Sequence, residues 1–178
     1  RCFTAGGDLK EMGKIAKTFT PQSASEQFWY PHSSEPMTTP QISMEMLSLE
    51  LYKPMVAAVH GLCLGAGLIF MLALTDIRIA SSDAKFGFAE IKLGAGGAGA
   101  TADVARRLPF TTAMWLCLTG ESIDAVEAHR IGLVNEVVST ECLHDRAHEV
   151  ADLICSNSPV AVKFEKEAIL RSHEMDRS

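Results

Sequence analysis

The stretch Met55-Val-Ala-Ala-Val59, continued by His60-Gly-Leu-Cys-Leu-Gly65-Ala-Gly-Leu-Ile-Phe-Met-Leu-Ala-Leu74 and Thr75-Asp-Ile-Arg-Ile-Ala80, decides the fold. Met55 to Val59 is short and apolar on both faces, as a strand buried in a parallel sheet is. Gly61, Gly65 and Gly67 then mark a tight turn, an apolar helix is predicted from Ala66 to Leu74, and Ile77 to Ala80 reads as a second strand. Strand, turn, helix and strand make a βαβ unit, the signature of an α/β fold. The same glycines, with His60, interrupt the apolar run, which therefore lacks the ~20 uninterrupted apolar residues of a membrane span.

On the N-terminal side, Ile42 to Leu51 has a helical stripe of Ile42, Met46 and Leu49, and Pro54 closes it. The segment Thr18 to Gln41 is rich in Pro, Ser, Thr and Gln, has no period, and is expected to be a surface loop or a mobile flap. On the C-terminal side, Lys85-Phe-Gly-Phe88 reads as a strand leading into Glu90, and a second glycine-rich turn spans Gly94 to Gly99. The last third is mostly helical. Thr112 to Leu118 is an apolar helix ending at Thr119-Gly120. Ser122 is expected to cap a helix that carries Asp124 in its first turn and stops at Gly132. Leu133 to Val138 reads as a strand, Leu143, Ala147, Val150 and Ile154 repeat at helical spacing, and Ser158-Pro159 has the residues that open a helix.

The 178 residues are 47% hydrophobic and 21% charged, the composition of one domain with a sizeable core. A net charge of −6 gives no basic field for a nucleic-acid backbone, so nucleic acid is not an expected partner. Cys2, Cys63, Cys117, Cys142 and Cys155 are odd in number and widely spaced, and several sit in apolar helical or strand patterns, which predicts free buried thiols in a reducing compartment. The chain enters a motif at Arg1 with no preceding methionine, and Ala168 to Ser178 trails off a helical pattern, so both ends read as cuts in a longer fold.

Several ordered blocks resemble those of one family. Phe3-Thr-Ala-Gly-Gly-Asp-Leu-Lys-Glu-Met12 and Val59-His-Gly-Leu-Cys-Leu-Gly-Ala-Gly-Leu68 are similar to the two oxyanion-loop motifs of the crotonase superfamily, the enoyl-CoA hydratases and isomerases. Ala84-Lys-Phe-Gly-Phe-Ala-Glu-Ile-Lys-Leu-Gly94, Leu118-Thr-Gly-Glu-Ser122 and Ala128-His-Arg-Ile-Gly-Leu-Val-Asn135 follow in the family's order, and the resemblance runs to about Leu170. It implies a spiral of ββα turns, here lacking its first turns, over residues 1–139. Residues 140–178 would begin a C-terminal helical region that builds homotrimers, often paired into hexamers.

The resemblance also implies a chemistry, and the residue types suit it. A CoA thioester that exchanges a proton at its α-carbon passes through an enolate, whose oxygen needs fixed donors. Gly7 can bring its amide close to a ligand, and the Ala66 amide would open an apolar helix at its positive end. By resemblance these are the two oxyanion-hole positions, and Glu90 is the acid/base. Apolar Phe86, Phe88, Ala89 and Ile91 predict a partly desolvated Glu90 carboxylate. The family's hydratases carry a second Glu three residues after the second oxyanion position, and this chain has Ile69 there. A single carboxylate can still move a proton between carbons, so the expectation leans to enoyl-CoA isomerisation, with hydration or non-catalytic acyl-CoA binding as alternatives. The turn Gly94 to Gly99 also lacks a proline common in the family.

The substrate's CoA half would lie against Ala5, Gly6, Asp8, Leu9, Lys10 and Gly65, with no separate cofactor and no metal. Gly94, Gly96 and Gly99 satisfy a dinucleotide fingerprint, but a helix rather than a strand is predicted to follow, which disfavours that reading. His144 and His148 are four apart among Asp145, Arg146 and Glu149, the composition of a solvated face. Cytoplasm, mitochondrion and peroxisome all remain open as compartments.

Overall fold

The computed structural model describes residues 2–4, 51–94 and 101–172. Its strands are β1 (Cys2–Thr4), β2 (Val56–Val59), β3 (Leu62–Leu64), β4 (Ile77–Ser81), β5 (Lys85–Gly87), β6 (Ile123–Asp124) and β7 (Glu136–Val138). Its helices are α1 (Ala66–Leu74), α2 (Thr101–Arg107), α3 (Phe110–Thr119), α4 (Ala125–Arg130), α5 (Leu143–Cys155) and α6 (Pro159–Ser172), with a 3-10 turn at Ala89–Leu93.

From β1 to β5 successive strands alternate between two sheets, and β6 then pairs antiparallel with β5 before β7 returns to the second sheet. One has the order β1-β3-β5-β6 and the other β2-β4-β7. The corner between β2 and β3 is His60-Gly61, and the matching corner between β4 and β5 is closed by Ala84 N–H donating to the Ser81 carbonyl at 3.0 Å. The rungs stack in register: Val56 to Val59 pair parallel with Ile77 to Ala80, and Leu62 to Leu64 pair parallel with Lys85 to Gly87. Each rung is two short strands followed by a helical or 3-10 segment, so the architecture is the coil of ββα turns expected from the sequence.

Its interior is packed by Val59, Cys63, Leu68, Leu72, Phe86 and Phe88, all nearly fully buried. At ~25 cal/mol per Å² of apolar surface, burying each of these larger side chains contributes about 1.5–3 kcal/mol. Arg78 locks the outer end of α1. Its guanidinium donates to the carbonyls of Leu72 (3.3 Å), Thr75 (2.9 Å) and Leu133 (3.2 Å) and to Thr75 Oγ1 (3.0 Å). Burial, then the nearby charge of Arg107, pulls its pKa down to about 10, against an opposing pull from Asp76. It stays charged near neutral pH and supplies donors to helix-end carbonyls that have none of their own.

Three local readings are corrected. The cap of α4 is Asp124, whose side chain accepts from Glu127 N–H at 2.9 Å, while Ser122 precedes the short β6 bridge. The strand expected from Leu133 is shorter, because Leu133 and Val134 bond their amides to the Ala128 carbonyl and wrap around α4 before β7 begins at Glu136. Cys63 is buried and Cys117 half-buried, but Cys142 and Cys155 are exposed, since they flank the ends of α5, where one side faces water; all four are free thiols.

The last two helices differ in how they attach. Helix α5 buries Leu143 and packs across β2 and β4. Helix α6 buries no side chain; Lys166 Nζ holds it by donating to Asp76 Oδ2 at 2.7 Å and to the Lys53 carbonyl at 2.8 Å. Val160, Phe164 and Ile169 on α6 are 77%, 68% and 58% exposed, so this helix presents apolar surface that the described residues do not cover. No helix among the described residues is long and apolar enough to cross a membrane.

Candidate active site

The site is made where two neighbouring strands end together. Leu64, the last residue of β3, pairs with Gly87, the last residue of β5, so the segments that follow leave the sheet side by side. After β3 comes Gly65 and the start of α1. After β5 come Phe88 and the 3-10 turn that carries Glu90. A bond from Gly65 N–H to the Gly87 carbonyl, at 2.9 Å, ties the two exits one step beyond the ladder.

Gly65 has φ 56° and ψ −129°, a conformation that side chains resist, and the space beside it is occupied. A Cβ at that position would lie 3.0 Å from Glu90 Oε2 and 3.3 Å from Oε1. The Glu90 carboxylate therefore rests on the bare backbone at the amide end of α1. That helix has no side-chain cap. Its first internal bonds run from Leu68 N–H (3.0 Å) and Ile69 N–H (3.1 Å) to the Gly65 carbonyl. The amides of Ala66 and Gly67 come before them and have no acceptor one turn back in the helix, as at every helix start. An unsatisfied amide at the positive end of a helix is a ready donor for a developing negative charge.

Burial around this point is graded. Phe86, Gly87 and Phe88 are buried, and Ala66, Ala89 and Glu90 are half-buried. Helix α3 packs against the 3-10 turn and brings Cys117 within the field of Glu90. Burial pushes the Cys117 thiol pKa up, and the Glu90 charge pushes it further in the same direction.

The sequence expectations are thus partly assembled. Glu90, Gly65 and Ala66 come together, and Ile69 lies one turn into α1, buried in the core at 6% exposure. Ala5, Gly6, Gly7, Asp8, Leu9 and Lys10 lie outside the described residues. So do the loop expected over 18–41 and Gly96 and Gly99 of the second glycine-rich turn. Downstream of that turn the chain is helical, in α2 and α3. His144 and His148 are exposed on α5, and no three His, Cys, Asp or Glu side chains gather in a metal-binding arrangement among the described residues. Sequence reasoning missed Cys117 as a neighbour of Glu90. The only signal for it was its place on the apolar helix before Thr119-Gly120, which says nothing about which strand end that helix covers.

The enoyl-CoA hydratase/isomerase family model matches residues 1–178. A short-chain-enoyl-CoA hydratase of Clostridium acetobutylicum is 46% identical over 127 residues, covering 71% of this chain and 48% of that protein. Among solved structures, an enoyl-CoA hydratase subunit I of Geobacillus kaustophilus superposes with a TM-score of 0.80 at 32% identity, covering 99% of this chain and 62% of that one. A crotonase of Legionella pneumophila superposes with a TM-score of 0.79 at 30% identity, covering 99% and 64%. The chain thus spans about half the length of the curated relative and under two thirds of each solved structure.

Proposed function

The chain belongs to the enoyl-CoA hydratase/isomerase family and has its crotonase fold, and on that premise we propose that it acts on an acyl-CoA thioester, with Glu90 moving a proton at carbon while backbone amides hold the enolate oxygen. The observation that carries this reading is the contact between Glu90 and the start of α1: the carboxylate lies 3.0 Å from where a Gly65 Cβ would be. One residue on, the Ala66 amide can face the thioester carbonyl of a substrate whose α-carbon faces Glu90. The second donor would be the Gly7 amide. Strand β1, which precedes that loop, ends at Thr4 opposite Cys63, at the same edge of the ladder where β3 gives way to Gly65. Ala5, Gly6, Asp8, Leu9, Lys10 and Gly65 are assigned to the CoA half of the substrate.

In this reading a 3-enoyl-CoA loses a proton from its α-carbon to Glu90, the electron pair spreads into a dienolate, and the same carboxyl, its proton exchangeable with solvent in the half-buried site, delivers a proton to the γ-carbon. The double bond moves into conjugation and nothing is added. Ile69 favours this over hydration: it is packed in the core on the first turn of α1, where a water-holding carboxylate would be needed. Hydration is the second reading, and what favours it is that the similar Clostridium protein is named a hydratase. A trimer or pair of trimers, built partly through residues 140–178, fits the apolar surface left open on α6.

The test is mass spectrometry of a 3-enoyl-CoA incubated with the protein in heavy water, with Glu90→Gln alongside. An isomerised, deuterated product of unchanged hydration state, absent with Glu90→Gln, is expected. A product heavier by one water would select the hydratase reading. Binding of the ester with no turnover by either protein would reduce the site to a binding site.

A further inference from the structure

The 3-10 turn that carries Glu90 is short, and its position is not set by its own hydrogen bonds alone. On one side lies Gly65; on the other lies the turn Gly120-Glu121-Ser122, which leaves the C-terminus of α3. Gly120 is buried and left-handed, with φ 64°. A Cβ on it would lie 2.6 Å from Ile91 Cγ2 and 3.1 Å from Lys92 Cγ. The next contact is with the strand end: a Cβ on Gly87 would lie 2.7 Å from Ser122 Oγ and 3.1 Å from Ser122 Cα. Gly87 is the residue whose carbonyl receives the Gly65 amide. Residues 120–122 thus touch the chain segment 87–92 on both flanks of Glu90, each time through a missing side chain. Lys92 Nζ also meets Glu121 Oε1 at 2.7 Å, but these side chains are 50% and 62% exposed, and such surface pairs contribute little. The seat is steric.

We propose that the turn Gly120–Ser122 is a positioning element for Glu90, and that Gly120 acts as a positioning residue by letting Ile91 seat against the end of α3, so that the Glu90 carboxylate is pressed onto Gly65. The proposal rests on the reading of Glu90 as the proton carrier. A displacement of about 1 Å at a reacting group can cost on the order of 100-fold in rate, so a seat of this kind acts on kcat although none of its residues touches substrate.

Gly120→Ala places a methyl group against Ile91 Cγ2, and Ile91→Ala removes that carbon from a side chain that is 36% exposed. Each single variant is expected to lower kcat, Gly120→Ala by about 10- to 100-fold, with KM changed by less than about threefold. The double variant, in which one change fills the space left by the other, is expected to turn over faster than either single. Gly132→Ala is the control for backbone strain: Gly132 has φ 77° and nothing within 4 Å of a Cβ, so it should lower the urea midpoint and leave kcat intact. Crystal structures of the wild type and Gly120→Ala read the Glu90–Gly65 approach without any turnover. A carboxylate moved off Gly65 in Gly120→Ala supports the seat even if no enoyl-CoA is converted, in which case the functional reading alone falls. A carboxylate in its original place, or, where the wild type turns over, a double variant no faster than Ile91→Ala, overturns the seat. If Gly120→Ala does not fold, the comparison of Ile91→Ala with the double variant decides.

Discussion

Ala66→Pro tests the oxyanion reading by deleting one backbone amide. Side-chain substitutions leave a main-chain donor in place, and proline removes it. Ala66 is the first residue of α1, the position at which a helix accepts proline best, because the missing N–H had no helical partner and the fixed φ suits the helix. Here the first helical bonds start from Leu68 and Ile69, so no bond inside α1 is lost. Gly65, at ψ −129°, is already outside the helical region that a following proline disfavours. The expected change in stability is below about 1 kcal/mol, a shift of the urea midpoint of well under about 1 M for a domain of this size. Loss of one donor to a developing oxyanion costs about 2.7–4 kcal/mol of transition-state stabilisation, so kcat should fall about 100- to 1000-fold. Urea unfolding and steady-state turnover of an enoyl-CoA measure the two quantities on the same preparations. A folded Ala66→Pro protein with kcat within about threefold of wild type would refute the assignment of that amide.

Two further outcomes follow from side chains around the same core. Glu90→Gln removes one of the two causes that push the Cys117 thiol up and leaves burial in place, so its pKa should fall partway toward the ordinary value. More thiolate would then be present at a fixed mildly alkaline pH, and iodoacetamide labelling of the Cys117 peptide should speed up; an unchanged rate would mean that Glu90 carries no charge beside it. Arg78→Lys keeps the charge but cannot span the carbonyls of Leu72, Thr75 and Leu133, so the midpoint of urea unfolding should drop by the equivalent of about 1–3 kcal/mol, the cost of a polar group left without a partner. An unchanged midpoint would show that these carbonyls do not depend on the guanidinium fork.

Much of this arrangement was legible along the chain, for physical reasons that differ from place to place. Residues 56–59 and 66–74 are apolar on every side, so that strand and that helix fall where the pattern puts them, whereas the glycine-marked stretch read as a tight turn also holds β3 (Leu62–Leu64), three residues too short to show a period, and Gly67 falls inside α1. Glu90 stands out as a candidate through its motif, but its contact with Gly65 was not legible, because that contact depends on the pairing of Leu64 with Gly87, which no local pattern specifies. The cap of α4 was misplaced by two residues because Ser122 and Asp124 are both good caps; the β6 bridge to Lys85 and Phe86 decides between them. Leu133 and Val134 look like a strand start because they are apolar, yet their amides belong to Ala128, and burial without pairing has the same sequence signature. Cys142 and Cys155 show the converse: an apolar helix stripe implies nothing about the residues at its two ends.

The parallel register of the rungs has a consequence for how the protein reaches its working form. Leu62 pairs with Lys85 and Ile79 with Glu136, so the pairing that builds the site, like its counterpart in the other sheet, joins parts of the chain separated by a whole turn of the coil. Such contacts require long loops to close before any of them is rewarded, which makes topologies of this kind slow to fold compared with local hairpins or helix pairs. The helices hold their own bonds within single segments of chain, but the first amide of α1 and the Glu90 carboxylate meet only when the neighbouring rung has docked. Recovery of turnover during refolding should therefore lag behind recovery of helical signal, and the interval between them would time the closing of that rung.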